Sequence, residues 1–173
     1  MIKDNFKLHG SFNITDIHNK LKNVDWNYFT WRQKNRRSLE YTETIPLIWD
    51  NDFTDYNIWK YYELFEDELG RLKSIITSTH GPGEYITAIF TKLIAGRDIA
   101  PHIDVGRTFI ENPRLHIPII TNPDCLFTVG NETVNMKEGE IWEINNSGKI
   151  HSVHNKGTTD RIHLMVDWKL DKK

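Results

Sequence analysis

The stretch Leu126-Phe127-Thr128-Val129-Gly130-Asn131-Glu132-Thr133-Val134-Asn135-Met136 reads as two short strands about a two-residue turn. Aromatic and β-branched residues flank Gly130-Asn131, and a glycine there supplies the positive φ that a tight hairpin needs. Similar segments lie on both sides: Tyr85 to Leu93 and Arg114-Leu115-His116-Ile117-Pro118-Ile119-Ile120 upstream, then Glu140 to Ile144, His151 to Asn155 and Arg161 to Trp168 downstream. About seven short strands separated by turns predict a sandwich or jelly roll. Before Gly81-Pro82-Gly83 the texture is helical. Ile58, Tyr61, Tyr62, Phe65, Leu69, Leu72 and Ile76 recur at three- and four-residue steps and predict a helix over 55–78, with Gly70 as a candidate kink. Thr15 is a candidate N-cap for a shorter helix. The expected fold class is α+β: a double-stranded β-helix (jelly roll, cupin-like) with helices packed on one outer face. A single domain over 1–173 is expected, with 1–84 as a mixed α/β support region and 85–168 as the jelly-roll core.

Composition bounds what such a domain does. A chain of 173 residues has room for one core. With 38% hydrophobic and 27% charged residues it is neither a disordered tail nor a membrane channel. Its 22 basic and 24 acidic residues give a net charge of −2, which offers no electrostatic footprint for nucleic acid. No apolar run approaches the roughly 20 residues of a membrane helix, and the N-terminus lacks the apolar core of a signal peptide. The single cysteine, Cys125, excludes an intrachain disulfide and a Cys-rich zinc site. A soluble, cytoplasmic protein without a nucleic-acid or membrane partner is expected.

The chemistry concentrates after residue 100. In an extended segment His102 and Asp104 of Pro101-His102-Ile103-Asp104 point to one face, so imidazole and carboxylate can grip one ion. His151, at the start of a later strand, supplies a third ligand. Two imidazoles and a carboxylate on one side of a metal form the facial triad of non-haem Fe(II) oxygenases. The tripeptide alone is weak, since chance yields roughly one His-x-acid pair in such a composition. Arg161 strengthens it. It opens the apolar strand Arg161-Ile162-His163-Leu164-Met165-Val166, where a buried guanidinium is costly without an anion. Arg114 and His116 share one face of another apolar strand. Inward-facing donors of this kind imply an acidic ligand, and a dicarboxylate such as 2-oxoglutarate suits them, one end chelating the metal and the other meeting an arginine fork.

As an ordered series the motifs are specific: Leu93-Ile94-Ala95-Gly96, Pro101-His102-Ile103-Asp104, Arg114-Leu115-His116, Val129-Gly130-Asn131-Glu132, Gly139-Glu140-Ile141-Trp142, His151-Ser152-Val153, and Arg161 through Asp167. Over about residues 85 to 168 the chain resembles the aspartyl/asparaginyl β-hydroxylase family of Fe(II)/2-oxoglutarate dioxygenases, which includes L-proline hydroxylases. The resemblance implies that His102, Asp104 and His151 bind Fe(II), and that Arg161 and Thr91 meet the distal carboxylate of 2-oxoglutarate. It further implies that Arg114 and His116 are a second pair of co-substrate contacts. Dioxygen is then the other co-substrate, ascorbate a supporting reductant, and an amino acid or a peptide or protein residue the substrate. Some peptide-modifying relatives lack the carboxylate ligand; this chain has it.

Other residues carry weaker signals. Trp142 and Asn145 precede the distal histidine and are candidates to line the substrate pocket, as is Arg107 beyond the His-x-Asp pair. A core tryptophan and an Asn-Asn-Ser-Gly turn explain the first two as well. His154 should face away from His151 by strand alternation, His163 reads as a satisfied core histidine, and Trp31, Arg32, Arg36 and Arg37 read as a solvated surface. The main competitor is a cupin-like metal-binding or sensor module without turnover, which has no need of Arg161. A zinc hydrolase would need a general base that Glu111, Glu132 and Glu140 do not convincingly supply.

Overall fold

The computed structural model describes residues 2–49, 57–104, 112–146 and 148–171; Arg107 and Glu111 lie outside them. In chain order the elements are β1 (Phe6–Ser11), α1 (Thr15–Lys20), α2 (Trp31–Asn35), β2 (Thr42–Ile48), α3 (Tyr62–His80), β3 (Gly83–Leu93), β4 (Asp98–His102), β5 (Arg114–Ile120), β6 (Cys125–Val129), β7 (Glu132–Val134), β8 (Glu140–Ile144), β9 (His151–Asn155) and β10 (Arg161–Leu170). Two antiparallel sheets face one another, one in the order β1-β8-β5-β10-β3-β2 and the other β4-β9-β6-β7. This is the jelly roll expected from the strand spacing. The first 84 residues contribute both edge strands of the larger sheet, so its core is not confined to 85–168.

Alternation along the strands divides the molecule chemically. On β5, Leu115, Ile117 and Ile119 face outward; on β10, so do Ile162, Leu164 and Val166. They pack beneath Ile17 and Leu21 at the α1 end and Phe65, Leu69, Leu72 and Ile76 of α3. The complementary set on the same two strands, Arg114 and His116, Arg161, His163 and Asp167, is buried as well. These polar groups lie in the space between the sheets.

Several local details differ from the sequence-based expectation. The long helix starts at Tyr62 rather than 55, because β2 captures the chain just before it. Trp49 N donates to Asn57 O at 3.1 Å, Trp59 N donates to Leu47 O at 3.0 Å, and Ile58 pairs with Ile48 in extended form. Gly70 does not interrupt α3. Thr15 is the first helical residue rather than the cap; its N–H donates to Asn13 Oδ1 at 3.0 Å. The Gly130-Asn131 hairpin forms as expected, with Val129 paired to Glu132 and Gly130 at φ +58°. His9 on β1 and His80 at the end of α3 both meet Glu143 Oε2 of β8, at 2.8 and 3.1 Å, and so clamp the edge strand and the helix end to one carboxylate. Burial opposes ionisation of Glu143, but the two imidazoles hold its carboxyl below the usual range. No helix among the described residues is long and apolar enough to cross a membrane.

Candidate active site

Register brings the proposed ligands together. His102 ends β4 and pairs with His151 at the start of β9, so the 49-residue separation in sequence closes to a ring-centroid distance of 4.3 Å. Asp104 follows two residues past His102 and is buried between them, with Oδ1 3.9 Å from His102 Nε2 and Oδ2 3.7 Å from His151 Nε2. These spacings are too long for hydrogen bonds, yet they leave room for an ion held by bonds of about 2.0–2.2 Å. The Glu143 cluster, with the same donor types, is closed at hydrogen-bond distance.

The imidazole tautomers are set from behind. His102 Nδ1 lies 2.8 Å from Ala100 O, and His151 Nδ1 lies 3.2 Å from Lys149 O. A carbonyl only accepts, so in the neutral rings Nδ1 carries the proton and the Nε2 lone pairs face Asp104. Such backing is the usual support of a metal-binding histidine. Burial, partly offset by Asp104, lowers His151 to about 4. For Asp104 burial pushes upward, but Arg114, then His151 and His102, override it and bring the carboxyl down to about 2. At neutral pH, then, His151 and Asp104 are already in the protonation states that a metal requires.

Arg114 and Arg161 are both buried on the inner face, but their surroundings differ. Arg114 donates from Nε and Nη2 to both oxygens of Asp167, at 2.7 and 2.8 Å, and from Nη1 to Asp104 Oδ2. Arg114 faces inward as expected, but a carboxylate of the protein itself already meets it: β10 places Asp167 directly opposite. Its position is that of a brace for Asp104, on the wall of the same cavity. Arg161 is 2% exposed and has no carboxylate partner among the described residues. One Nη donates to His163 Nδ1 at 2.7 Å, the guanidinium lies over the Phe127 ring, and Nε has no partner. Burial lowers Arg161 to about 10. His116 is pushed well below its ordinary range by burial and then by Arg161 and Arg114, and its Nδ1 is likewise unpartnered.

A single cavity collects His102, Asp104, His151, Arg161, Thr91 and His116. Thr91 of β3 sits opposite His163 of β10, within the same patch as Arg161. Trp142 and Asn145 do not line this cavity. The Trp142 indole donates to Glu140 Oε2 at 2.7 Å and packs edge-on against Phe6, while Asn145 Nδ2 donates to Ile2 O at 3.2 Å and ties down the N-terminal segment. Arg107 lies outside the described residues. His154 pairs with Asp98 at 3.2 Å on the outer side, as alternation implies. Sequence reasoning missed two groups. Asp167 shares the face of Arg161 and His163 by simple alternation, a signal open to inspection. Arg32, taken for solvated surface, instead lines the cavity together with Arg36; no local pattern marks it.

A family model for Aspartyl/Asparaginyl beta-hydroxylase matches residues 11–170. The chain belongs to this family. Membership agrees with the fold, as does the likeness to an oxidoreductase of the 2OG-Fe(II) oxygenase family from Burkholderia pseudomallei. That structure superposes with a TM-score of 0.62 at 12% identity, covering 91% of this chain and 90% of that one. A viral collagen prolyl hydroxylase from Paramecium Bursaria Chlorella virus-1, solved as a 2OG complex, gives 0.62 at 9% identity over 98% of both chains. A Pseudomonas putida prolyl-4-hydroxylase gives 0.56 at 11% identity over 98% of this chain and 95% of the other. At such identities these likenesses establish the jelly-roll architecture. Among curated proteins, none matches the sequence significantly. For a β-hydroxylase family member, a His/Asp/His cluster beside a buried arginine with no carboxylate partner among the described residues is a donor set that fits Fe(II) and 2-oxoglutarate.

Proposed function

We propose that this chain is an Fe(II)- and 2-oxoglutarate-dependent dioxygenase that hydroxylates an unactivated C–H bond of an amino acid, free or within a peptide or protein. Arg161 carries the reading. A guanidinium buried in this way, with no carboxylate partner among the described residues, is costly unless an anion enters the cavity. In this reading His102, Asp104 and His151 hold Fe(II), while Arg161 and Thr91 hold the distal carboxylate of 2-oxoglutarate. When bound, the metal and co-substrate supply the oxidative chemistry, releasing succinate and carbon dioxide as oxygen is inserted.

The protein's own groups bind, orient and exclude water. Ala100 O and Lys149 O keep the two Nε2 lone pairs turned inward. Arg114, itself fixed by Asp167, holds Asp104 Oδ2 and so limits how the carboxylate can turn. Phe127, Ile99 and Val153 contribute apolar wall, which strengthens the electrostatic grip of Arg161 on an anion. His116 and His163, both neutral, flank Arg161 without competing for a negatively charged ligand. The test is succinate formation from 2-oxoglutarate with Fe(II), ascorbate and air across a panel of amino acids and peptides. Substrate-stimulated succinate is expected. Metal binding without any turnover would favour the sensor reading instead.

A further inference from the structure

The Fe(II)/2-oxoglutarate reading leaves two cations of the cavity unused. Arg32 on α2 and Arg36 just beyond it lie four residues apart, and Arg36 N donates to Arg32 O at 2.9 Å, so the two side chains start from the same face of one turn. Both reach the cavity that holds His102 and Asp104. Arg36 is exposed and Arg32 half-buried. The one side-chain hydrogen bond of Arg32 among the described residues is long, from Nη1 to Thr44 Oγ1 at 3.4 Å. Burial and the neighbouring charges of Arg114 and Arg36 lower it to about 10, with Asp104 and Asp167 acting the other way.

Charge balance sharpens the point. Among the described residues, Arg32, Arg36, Arg114 and Arg161 line the cavity, while Asp104 on its wall and Asp167 behind it are committed to Arg114. A divalent metal and a dicarboxylate co-substrate cancel one another. The excess of positive charge therefore stays with Arg32 and Arg36 after both have bound, on the side contributed by α2. Holding half-buried Arg32 near Arg114 is unfavourable, and a further anion beside it offsets that cost.

We propose that Arg32, assisted by Arg36, is the receptor for a carboxylate on the substrate, so that the preferred substrates carry a free carboxylate group. A guanidinium fork suits that group bidentately. The carboxylate could belong to a free amino acid, a peptide C-terminus or an acidic side chain, and the probes separate these sources.

The experiment reads binding rather than turnover. The anaerobic complex of wild-type protein with Fe(II) and 2-oxoglutarate is titrated with the standard amino acids, their carboxamides, and short peptides with free or amidated ends and with or without acidic side chains. The readout is the perturbation of the visible charge-transfer band of the complex. At least one carboxylate-bearing probe is expected to shift the band, with its amide weaker by about tenfold or more. Arg32→Gln should erase that preference, Arg32→Lys should restore part of it, and the 2-oxoglutarate dependence of the band itself should stay with Arg161. Amides that bind as well as acids, a panel in which no acid responds, or an Arg32→Gln protein with its acid preference intact would each overturn the proposal. Absence of any charge-transfer band in the wild-type protein would instead bring down the Fe(II)/2-oxoglutarate reading, and this proposal with it.

Discussion

Arg114 and Arg161 sit on neighbouring strands of one sheet, both buried and both facing the same interior, yet they live in opposite electrostatic worlds. Arg114 is saturated: Asp167 takes it bidentately and Asp104 takes the remaining edge, and its guanidinium is stabilised in the charged form despite burial. Arg161 has a histidine nitrogen, a ring face and an orphaned Nε, and its charge is destabilised. The difference separates a cation that belongs to the fold from one that awaits a ligand. The two His/His/carboxylate clusters repeat the contrast. Around Glu143 the donors are closed at hydrogen-bond distance, while around Asp104 they stand apart with their lone pairs directed inward.

The largest effect should come from opening the metal cluster. Wild-type protein stripped with a chelator and reloaded is expected to retain one equivalent of Fe(II) or Zn(II) per chain by equilibrium dialysis. His102→Ala or His151→Ala should lose it together with all turnover, whereas His9→Ala should keep it. Two equivalents in the wild type, one of them lost in His9→Ala, would erase the distinction between the clusters.

Next in size is the removal of the partner of Arg114. Asp167→Ala strips a buried guanidinium of its bidentate carboxylate and should cost about 3–5 kcal/mol of stability, read by urea or thermal unfolding of the metal-free protein. The same logic reverses sign at Arg161. Without ligand, Arg161→Met replaces a poorly paired buried cation by an apolar chain, so the metal-free variant should unfold at the wild-type temperature or higher, by up to about 1–4 kcal/mol. A clear loss of stability there would mean that Arg161 serves the fold as Arg114 does. The smallest effect is expected at Thr91. Thr91→Val keeps the shape and removes one hydroxyl, which should weaken 2-oxoglutarate by about 0.5–1.5 kcal/mol in a binding titration and leave metal retention alone.

Much of this was legible in the residue string, for identifiable reasons. The strands from Tyr85 onward advertise themselves because their outer faces bury under helices and their inner faces carry the chemistry, giving clean alternation at Arg114-Leu115-His116-Ile117 and Arg161-Ile162-His163-Leu164. β1 and β2 did not. Phe6–Ser11 is largely exposed beyond its first residue, and β2 is buried on both faces and interrupted by Pro46, so neither alternates. The metal ligands could be read because His102 and Asp104 lie two apart on extended chain. The pairing of Arg114 with Asp167 spans 53 residues and appears only when β5 and β10 are set in register. Arg32 was hidden for a similar reason: its helix is five residues long with no buried position, and only the tertiary fold turns that arginine toward the cavity.

The most direct test of the account is the affinity of 2-oxoglutarate for the metal-loaded protein, measured by calorimetry under anaerobic conditions for the wild type, Arg161→Met and Arg161→Lys. One equivalent is expected to bind wild-type protein. Arg161→Met should weaken it about tenfold or more, roughly 1.4 kcal/mol at least, and Arg161→Lys should recover only part of the loss because an ammonium lacks the planar fork. Wild-type affinity in Arg161→Met, with the fold and the metal intact, would contradict the claim that this buried arginine is where the co-substrate is held.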